Sequence, residues 1–267
     1  MSRIKCVLLL GSTGMLGGHF LKEFSNYPIK IITPLRSDLI FKNYQYLKDF
    51  IIKSSADLVI NCISQNGINA CFENRLNAFT VNSLYPQFLS KVCEELNLKL
   101  ILFSSEMVFD DLKTPASIKS NPKPSTTYGL TKFFGEVNIR NNTIIRLPLL
   151  VSKKRNRQIV WKLLDCLSMD KAVKVSDDEY STPIFAEDLA HEVVKLSLEE
   201  NIPKGYIHFS SSNRITLHET VSKLANNLGI NVTKLFKCSA NDFPTMEIKP
   251  RYSGLTASHE FSYLKFL

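Results

Sequence analysis

Short apolar segments alternate with segments of helical periodicity through the first half of this 267-residue chain. Strands are predicted at residues 4–10, 29–33, 57–62, 98–104 and 143–147. Helices are predicted between them at residues 15–24, 44–54, 74–96 and 126–138. Such alternation is typical of a parallel sheet covered by helices on both faces, because each strand needs a crossover to return. The sequence therefore predicts an α/β fold with a doubly wound, Rossmann-like parallel sheet.

The first predicted strand runs directly into the glycine-rich stretch GSTGMLGG, in which Gly11, Gly14 and Gly17 are spaced as GxxGxxG. Glycines at this spacing allow a tight turn, a backbone that approaches a pyrophosphate, and close packing of helix on strand. The N-terminus of the following helix offers free N–H groups to the phosphates. A glycine triplet is weak evidence alone, but between a strand and a helix it predicts a dinucleotide site.

The second half of the chain is less regular, with helices predicted at residues 158–166, 186–196 and 217–228 and strands at 172–175 and 206–209. It contains no repeat and no flexible linker. We therefore predict a dinucleotide-binding Rossmann-like core at residues 1–150. Residues 151–267 are predicted to form mainly a substrate-binding lobe, packed on the core.

Composition and charge restrict the class of protein. Hydrophobic residues are 44% and charged residues 22% of the chain, which is ordinary for a soluble globular protein. The net charge of +8 is spread along the sequence, and its densest cluster, residues 153–157, has no interleaved aromatic side chains. Stacking on nucleic-acid bases is therefore not supported, and we expect no nucleic-acid partner. The cluster is instead a candidate contact for a phosphate-bearing substrate.

The cysteines and the N-terminus indicate a cytoplasmic protein. The six cysteines lack CxxC spacing and lie mostly in apolar segments, as expected for reduced thiols. The apolar run at residues 7–10 is too short for a signal peptide or a membrane span. Because no segment is long and apolar enough to span a membrane, we expect no membrane partner. No histidine has metal-ligand spacing with a cysteine or another histidine, so we expect no metal site.

The form of the dinucleotide is indicated by the residues after the second strand. Arg36 and Ser37 are able to bind a 2′-phosphate, whereas Asp38 is able to accept a hydrogen bond from the hydroxyl of an unphosphorylated ribose. Because no acidic residue stands at the strand end itself, NADP is favoured and NAD stays possible.

Tyr128 and Lys132 lie one helical turn apart and share a face. A nearby ammonium lowers the pKa of a phenol, so the pair is suited to exchange a proton with an alcohol. Ser104 and Ser105 end the fourth strand, where open α/β sheets bind their ligands, and a hydroxyl there can hold a carbonyl oxygen. YxxxK alone is more often a surface pair. The ordered combination of GxxGxxG, serines and YxxxK resembles the short-chain dehydrogenase/reductase superfamily.

A narrower resemblance is to the dTDP-4-dehydrorhamnose reductase family, an extended branch of that superfamily. SSEMVFDD (104–111) is similar to the family's STDYVFDG, and YGLTKFFGE (128–136) to its YGxTKxxGE. IIRLP, STPIFAEDLA and KPRYSGLT, at 144–148, 181–190 and 249–256, are similar to further family segments. The chain departs from the family in having Glu106 and Met107 for Asp-Tyr, Tyr252 for an asparagine, and a divergent segment at 63–74.

The resemblance implies reduction, with NAD(P)H, of the 4-keto group of a nucleotide-linked deoxysugar, in nucleotide-sugar synthesis for surface glycans. It implies that Ser105 holds the keto oxygen, Tyr128 donates the proton and Lys132 holds the ribose. The residues implied to line the cofactor are Gly11, Thr13, Gly14, Met15, Leu16, Gly17, Asn61, Cys62 and Ile63. Those expected near the substrate are Ser104, Glu106, Met107, Lys249 and Arg251.

Two alternatives stay open from the sequence. The first is a sugar-nucleotide epimerase or dehydratase of the same superfamily, for which Glu106 is the only acidic residue directly beside Ser105. The second is a non-catalytic NADP-binding regulatory subunit, similar to that of methionine adenosyltransferase. By analogy with the family we expect a homodimer.

Overall fold

Six parallel strands form one sheet in the structure, a computed structural model that describes residues 4–39, 43–137, 139, 141–200, 202–243, 245–258 and 263–267, with the backbone alone at 36 and 39. Numbered along the whole chain, they are β1 (Cys6–Leu10), β2 (Lys30–Ile32), β3 (Leu58–Asn61), β4 (Lys99–Ser105), β5 (Thr143–Leu147) and β10 (Gly205–His208). Their order across the sheet is β2-β1-β3-β4-β5-β10. The predicted doubly wound parallel sheet is confirmed.

The helices between the strands cover both faces of the sheet. They are α1 (Met15–Phe24), α2 (Arg36–Leu39), α3 (Tyr44–Ser54), α4 (Ile68–Glu73), α5 (Arg75–Phe79), α6 (Tyr85–Glu95), α7 (Thr127–Glu136), α8 (Ile159–Ser168), α9 (Ala186–Ser197) and α10 (Leu217–Asn227). Leu8 and Leu10 of β1 pack with α3 and α6, whereas Val7 and Leu9 pack with α1 and α9. Alternate side chains of a strand point to opposite faces, so a nearly continuous apolar run is what a strand covered on both faces requires.

Most predicted elements are confirmed, and α1, α3 and β5 have the predicted bounds. The predicted helical segment over 74–96 is confirmed as an uninterrupted run from Arg75 to Glu95. The sequence did not predict the π-helical turn at Thr80–Leu84 that separates α5 from α6 within it. Asn82 lies in that turn, where its side-chain amide donates to the Gln65 carbonyl and to Thr131 Oγ1. These tertiary hydrogen bonds tie the π-helical turn to the loop after β3 and to α7.

The second half adds short strand pairs beside the sheet. They are β6 (Leu150–Val151) with β9 (Ile184–Phe185), β7 (Val173–Ser176) with β12 (Leu235–Cys238), and β8 (Tyr180–Ser181) with β11 (Ile215–Thr216). A separate apolar cluster joins α8, α10 and β7. In contrast, α9 packs on α1 and β10 extends the main sheet. Residues beyond 150 therefore also contribute to the core.

A buried ion pair joins α7 to the sheet. Arg146 of β5 donates from Nε and Nη2 to the Glu136 carboxylate at 3.0 and 2.6 Å, and both side chains are 2% exposed. The guanidinium also lies over the rings of Phe109 and Tyr206. Bidentate pairing of this kind fixes orientation as well as distance, so it sets the C-terminal end of α7 against the sheet.

Within the described ranges, none of the helices has both the length and the apolar character to cross a bilayer. The same residues contain no grouping of three His, Cys, Asp or Glu side chains arranged to hold a metal ion.

Candidate active site

The glycine loop joins β1 to α1 through two positions that only glycine fits. Gly11 has φ +79°, a left-handed conformation, and an added Cβ there would lie 3.0 Å from the backbone of Cys62. At Gly17 an added Cβ would overlap the Gly11 carbonyl oxygen and lie 2.9 Å from the Cα of Ser12. The helix therefore packs directly on the loop, as the sequence predicts.

The first turn of α1 is open to an anion. Gly14 precedes the helix, and among the described residues no side chain caps it and no acidic residue lies in its first turn. Thr13 and Gly14 are exposed, and Met15 and Leu16 are half-buried. Free N–H groups and the positive end of the helix dipole face this loop, so the residues present fit a dinucleotide pyrophosphate.

The end of β3 lies beside the glycine loop, as the resemblance implies. The Cys62 N–H donates to the Leu10 carbonyl at 2.9 Å, and Asn61 Oδ1 accepts from the Ile63 N–H at 3.1 Å. An added Cβ at Gly11 would also lie 3.0 Å from the Ile63 nitrogen. The structure therefore brings these three residues together with the glycines in one wall.

The residues after β2 bear on the choice between NADP and NAD. Asp38 accepts from the Leu35 N–H at 2.9 Å and from Ser37 Oγ at 3.4 Å, so its carboxylate is engaged within its own loop. Ser37 is exposed. The side chain of Arg36 lies outside the described part of the chain, and its predicted contact with a 2′-phosphate stays a prediction.

Two glycines place α7 against the segment that follows β4 and against the π-helical turn. An added Cβ at Gly129 would overlap the carbonyl oxygen of Met107, and one at Gly135 would overlap that of Asn82. At its start, Thr126 Oγ1 accepts from the Gly129 N–H at 3.1 Å and caps the helix. Close backbone approach on one side and a cap at the start hold the helix in one register.

Tyr128, Lys132 and Ser105 meet at the carboxyl end of β4. The Ser105 hydroxyl accepts from the Met107 N–H at 3.2 Å and lies close enough to the Tyr128 phenol to lower its pKa. Lys132 Nζ donates to the Phe103 carbonyl at 2.6 Å. The three side chains named from the sequence are therefore brought to one edge of the sheet.

The electrostatics of this group differ from the expectation. We predicted that the Lys132 ammonium lowers the pKa of Tyr128, but burial raises that pKa to about 12, despite the opposing hydrogen bond from Ser105. Burial also lowers the pKa of Lys132 to about 8. Desolvation disfavours the charged form of each group and is the largest cause of both shifts. Tyr128 is therefore a neutral phenol at neutral pH, the form that can donate a proton.

The residues next to Ser105 have other partners. Ser104 Oγ is buried and has no hydrogen-bond partner among the described residues, and strand alternation points it away from Ser105. Glu106 is 5% exposed, and its carboxylate accepts from Ser181 Oγ at 2.8 Å, while Ser181 Oγ in turn accepts from the Leu149 N–H at 3.1 Å. Burial raises the pKa of Glu106 to about 8. Its contact with substrate stays a prediction.

Lys249 and Arg251 lie together against the turn after β7. Lys249 Nζ pairs with Glu179, and Arg251 Nη1 lies 3.2 Å from Asp178 Oδ1. Burial lowers the pKa of Lys249, and the charge of Arg251 adds to this effect. The structure brings the two cations together, but each already has an acidic partner.

Sequence reasoning missed three residues that hold the site. Ser181 anchors Glu106, Asn82 ties the loop after β3 to α7, and Glu247 binds the start of α7. Ser181 lies in a segment that resembles the family, and that signal was available. The contacts of Asn82 and Glu247 are made to chain segments distant in sequence, so the local residue pattern does not reveal them.

Comparisons with known proteins show relatives that are similar along most of the chain. A dTDP-4-keto-6-deoxy-D-glucose reductase of Streptomyces niveus is 24% identical over 256 residues, covering 93% of this chain and 87% of that protein. Methionine adenosyltransferase 2 subunit beta of Xenopus tropicalis is 24% identical over 236 residues, covering 82% and 71%. The crystal structure of dTDP-4-dehydrorhamnose reductase from Bacillus anthracis in complex with NADP superposes with a TM-score of 0.88 at 19% identity, covering 96% and 92%.

A family model described as the RmlD substrate binding domain matches residues 5–263. Its match runs through the glycine loop, the Ser105–Tyr128–Lys132 group and the C-terminal segment alike. Because it spans nearly the whole length, the chain belongs to the RmlD substrate-binding-domain family.

Proposed function

We propose that this protein is an NAD(P)H-dependent oxidoreductase that reduces the 4-keto group of a nucleotide-linked deoxysugar. The observation that carries the proposal is the Ser105–Tyr128–Lys132 group at the carboxyl end of β4, next to a glycine loop that fits a pyrophosphate. The reductase relatives support the substrate class, since their names specify dTDP-linked 4-keto sugars.

Each side chain of the group has one task. Ser105 holds the keto oxygen by donating a hydrogen bond, which strengthens as charge develops on that oxygen. Tyr128 donates its proton to the same oxygen, and its raised pKa keeps that proton in place until the carbonyl is reduced. Lys132 holds the ribose of the cofactor. When bound, the nicotinamide supplies the hydride.

NADP is the favoured cofactor and NAD stays possible. The engagement of Asp38 by Leu35 and Ser37 supports NADP, because that carboxylate is then less available to a ribose hydroxyl. The NADP complex of the related Bacillus anthracis reductase agrees with this choice. Arg36 and Ser37 are the proposed contacts of the 2′-phosphate.

Residues 151–267 are proposed to supply most of the substrate-binding surface. Lys249 and Arg251 are the proposed contacts of the nucleotide diphosphate, which would compete with Asp178 and Glu179 for them. The free cysteines of the described chain support a reducing compartment, and we propose the cytoplasm. The homodimer stays a prediction.

The environment of Glu106 favours plain reduction over dehydration. A dehydratase needs an additional acid and base beside the catalytic hydroxyl, and both carboxylate oxygens of Glu106 accept from Ser181. The regulatory-subunit alternative has support in the similarity to methionine adenosyltransferase 2 subunit beta. The presence of Ser105, Tyr128 and Lys132 together at the carboxyl end of β4 supports an enzyme instead.

The test is NAD(P)H absorbance with a panel of nucleotide-linked 4-keto-6-deoxysugars, together with product analysis. A reductase consumes one NAD(P)H for each sugar converted. Conversion of sugar without net NAD(P)H consumption would identify an epimerase or dehydratase. Tight NADPH binding with no conversion of any sugar would favour the regulatory subunit.

A further inference from the structure

Residues 245–249, named here the strap, run between two elements of the candidate site. The Met246 N–H donates to Asn69 Oδ1 in α4 at 3.1 Å. The next residue, Glu247, binds the first residue of α7. Cys71 of α4 is close enough to influence the pKa of Tyr128, and the charge of Glu247 in turn influences Cys71. The strap therefore crosses from α4 to the catalytic helix beside Tyr128.

Glu247 makes three hydrogen bonds to Thr127. The Thr127 N–H donates to both carboxylate oxygens at 2.9 Å, and Thr127 Oγ1 donates to Oε1 at 2.8 Å. Charge-assisted bonds of this kind are about twice as strong as neutral ones. A carboxylate at the N-terminus of a helix also interacts favourably with the helix dipole. Thr127 is thereby fixed in both backbone and side chain.

The cap residue next to Thr127 does not accept from the Thr127 N–H, and Glu247 does so instead. The cap residue Thr126 uses its side chain on the Gly129 N–H, one turn further along. Among the described residues, the Thr127 N–H therefore finds its acceptor in a residue 120 positions away. Tyr128 is the next residue, so its placement depends on this anchor.

The strap also adjoins a proposed substrate contact. Its last residue is Lys249, which we assign to the nucleotide diphosphate, while Met246 and Ile248 are 52% and 88% exposed. Lys249, whose ammonium pairs with Glu179, lies only two residues from Glu247 along the chain. The strap is thus a short covalent connection between the diphosphate contact and the start of the catalytic helix.

We propose that Glu247 is a positioning residue for Tyr128, and that it transmits the state of the strap to the catalytic helix through Thr127. This inference rests on the proposed ketoreductase function for its kinetic consequence. Its structural consequence, displacement of the Tyr128 ring, is independent of turnover.

The test compares Glu247→Ala and Glu247→Gln with the wild type. The first readout is the ring signals of Tyr128 in ¹³C-tyrosine-labelled protein, assigned with Tyr128→Phe. The second is steady-state kinetics on the sugar that wild type reduces best. The matched control is Glu219→Ala, which removes a carboxylate that binds the Thr216 N–H at the start of α10.

We expect the Tyr128 signals to shift in Glu247→Ala and kcat to fall by about tenfold, since small misplacements of reacting groups have large effects on rate. KM for NADPH should not change. Glu247→Gln keeps one acceptor oxygen and should recover most of kcat. Glu219→Ala should leave the Tyr128 signals and kcat unchanged.

Unchanged Tyr128 signals in Glu247→Ala, with only a lower melting temperature, would overturn the proposal and leave Glu247 a structural role. A wild type that reduces no sugar would refute the proposed function. The Tyr128 signals would then still show whether Glu247 positions the Tyr128 ring. Equal kinetic loss in Glu219→Ala would also count against it.

Discussion

The two walls of the candidate site are held by different forces. The glycine loop, α1 and the end of β3 are in direct backbone contact, so that even one added methyl group at Gly17 would overlap a carbonyl oxygen. The proposed second wall, with Lys249 and Arg251, is held by partly exposed ion pairs to Asp178 and Glu179. The first wall cannot change shape without strain, whereas the second can exchange partners when an anion binds.

This difference suits the proposed chemistry. The oxidised and reduced dinucleotides present the same pyrophosphate to the loop, so a rigid cradle loses little by being preformed. At the proposed sugar-nucleotide contacts, cations paired at the surface can release their acidic partners at small free-energy cost. Variants that add atoms to the glycine-loop wall should therefore lose stability, whereas variants that remove an ion pair from the second wall should change stability little.

The largest stability effect should follow from Gly17→Ala. The added Cβ meets the backbone of Gly11 and Ser12, which has no room to move, and overpacking of this kind costs about 1–3 kcal/mol of unfolding free energy. NADPH affinity should fall with it, because the loop must shift. Urea unfolding and a fluorescence titration with NADPH measure the two effects.

Gly18→Ala is the matched control in the same helix. An added Cβ there would lie 3.6 Å from the Ser12 carbonyl oxygen, an ordinary contact. Helix propensity then favours alanine, by about 0.5–1 kcal/mol. If both variants lose stability equally, the rigid-wall description is wrong.

Glu106→Gln tests how the buried Glu106 carboxyl makes the unfolding free energy depend on pH. The folded-state pKa of about 8 exceeds the ordinary value of 4.5, so the folded protein holds this proton more tightly than the unfolded chain. The contribution of Glu106 to stability is complete below the ordinary pKa and is lost as pH rises toward 8. Between these values the unfolding free energy of wild type should therefore fall relative to Glu106→Gln. Urea unfolding of both proteins at several pH values measures this, and parallel curves would contradict it.

The smallest effect is expected from Asp178→Asn in the second wall. The Asp178 carboxylate is 44% exposed on its side-chain surface, and surface pairs contribute about 0–1 kcal/mol. Stability should therefore change by less than about 1 kcal/mol, while Arg251 becomes freer to bind a diphosphate. The affinity for UDP or dTDP, measured by calorimetry, should rise or stay equal. A large loss of stability would show that this wall is as rigid as the first.

The same contrast explains what could be predicted from sequence. The glycine loop and the strand alternation follow from local sterics and periodicity, which are visible in the residues themselves. The π-helical turn at Asn82 and the anchor at Glu247 depend on contacts to residues far along the chain. The expected low pKa of Tyr128 was wrong because helical spacing shows a neighbouring lysine but not the burial, which raises that pKa to about 12.

The central claim is that Tyr128 is the proton donor of a working ketoreductase. The most direct measurement is NADPH consumption by wild type and Tyr128→Phe on the best sugar of the panel, with the NADPH dissociation constant of each protein measured in parallel. We predict that kcat falls by about 10²- to 10⁴-fold in the variant while NADPH binding changes little. Equal turnover in the two proteins would contradict this assignment of Tyr128.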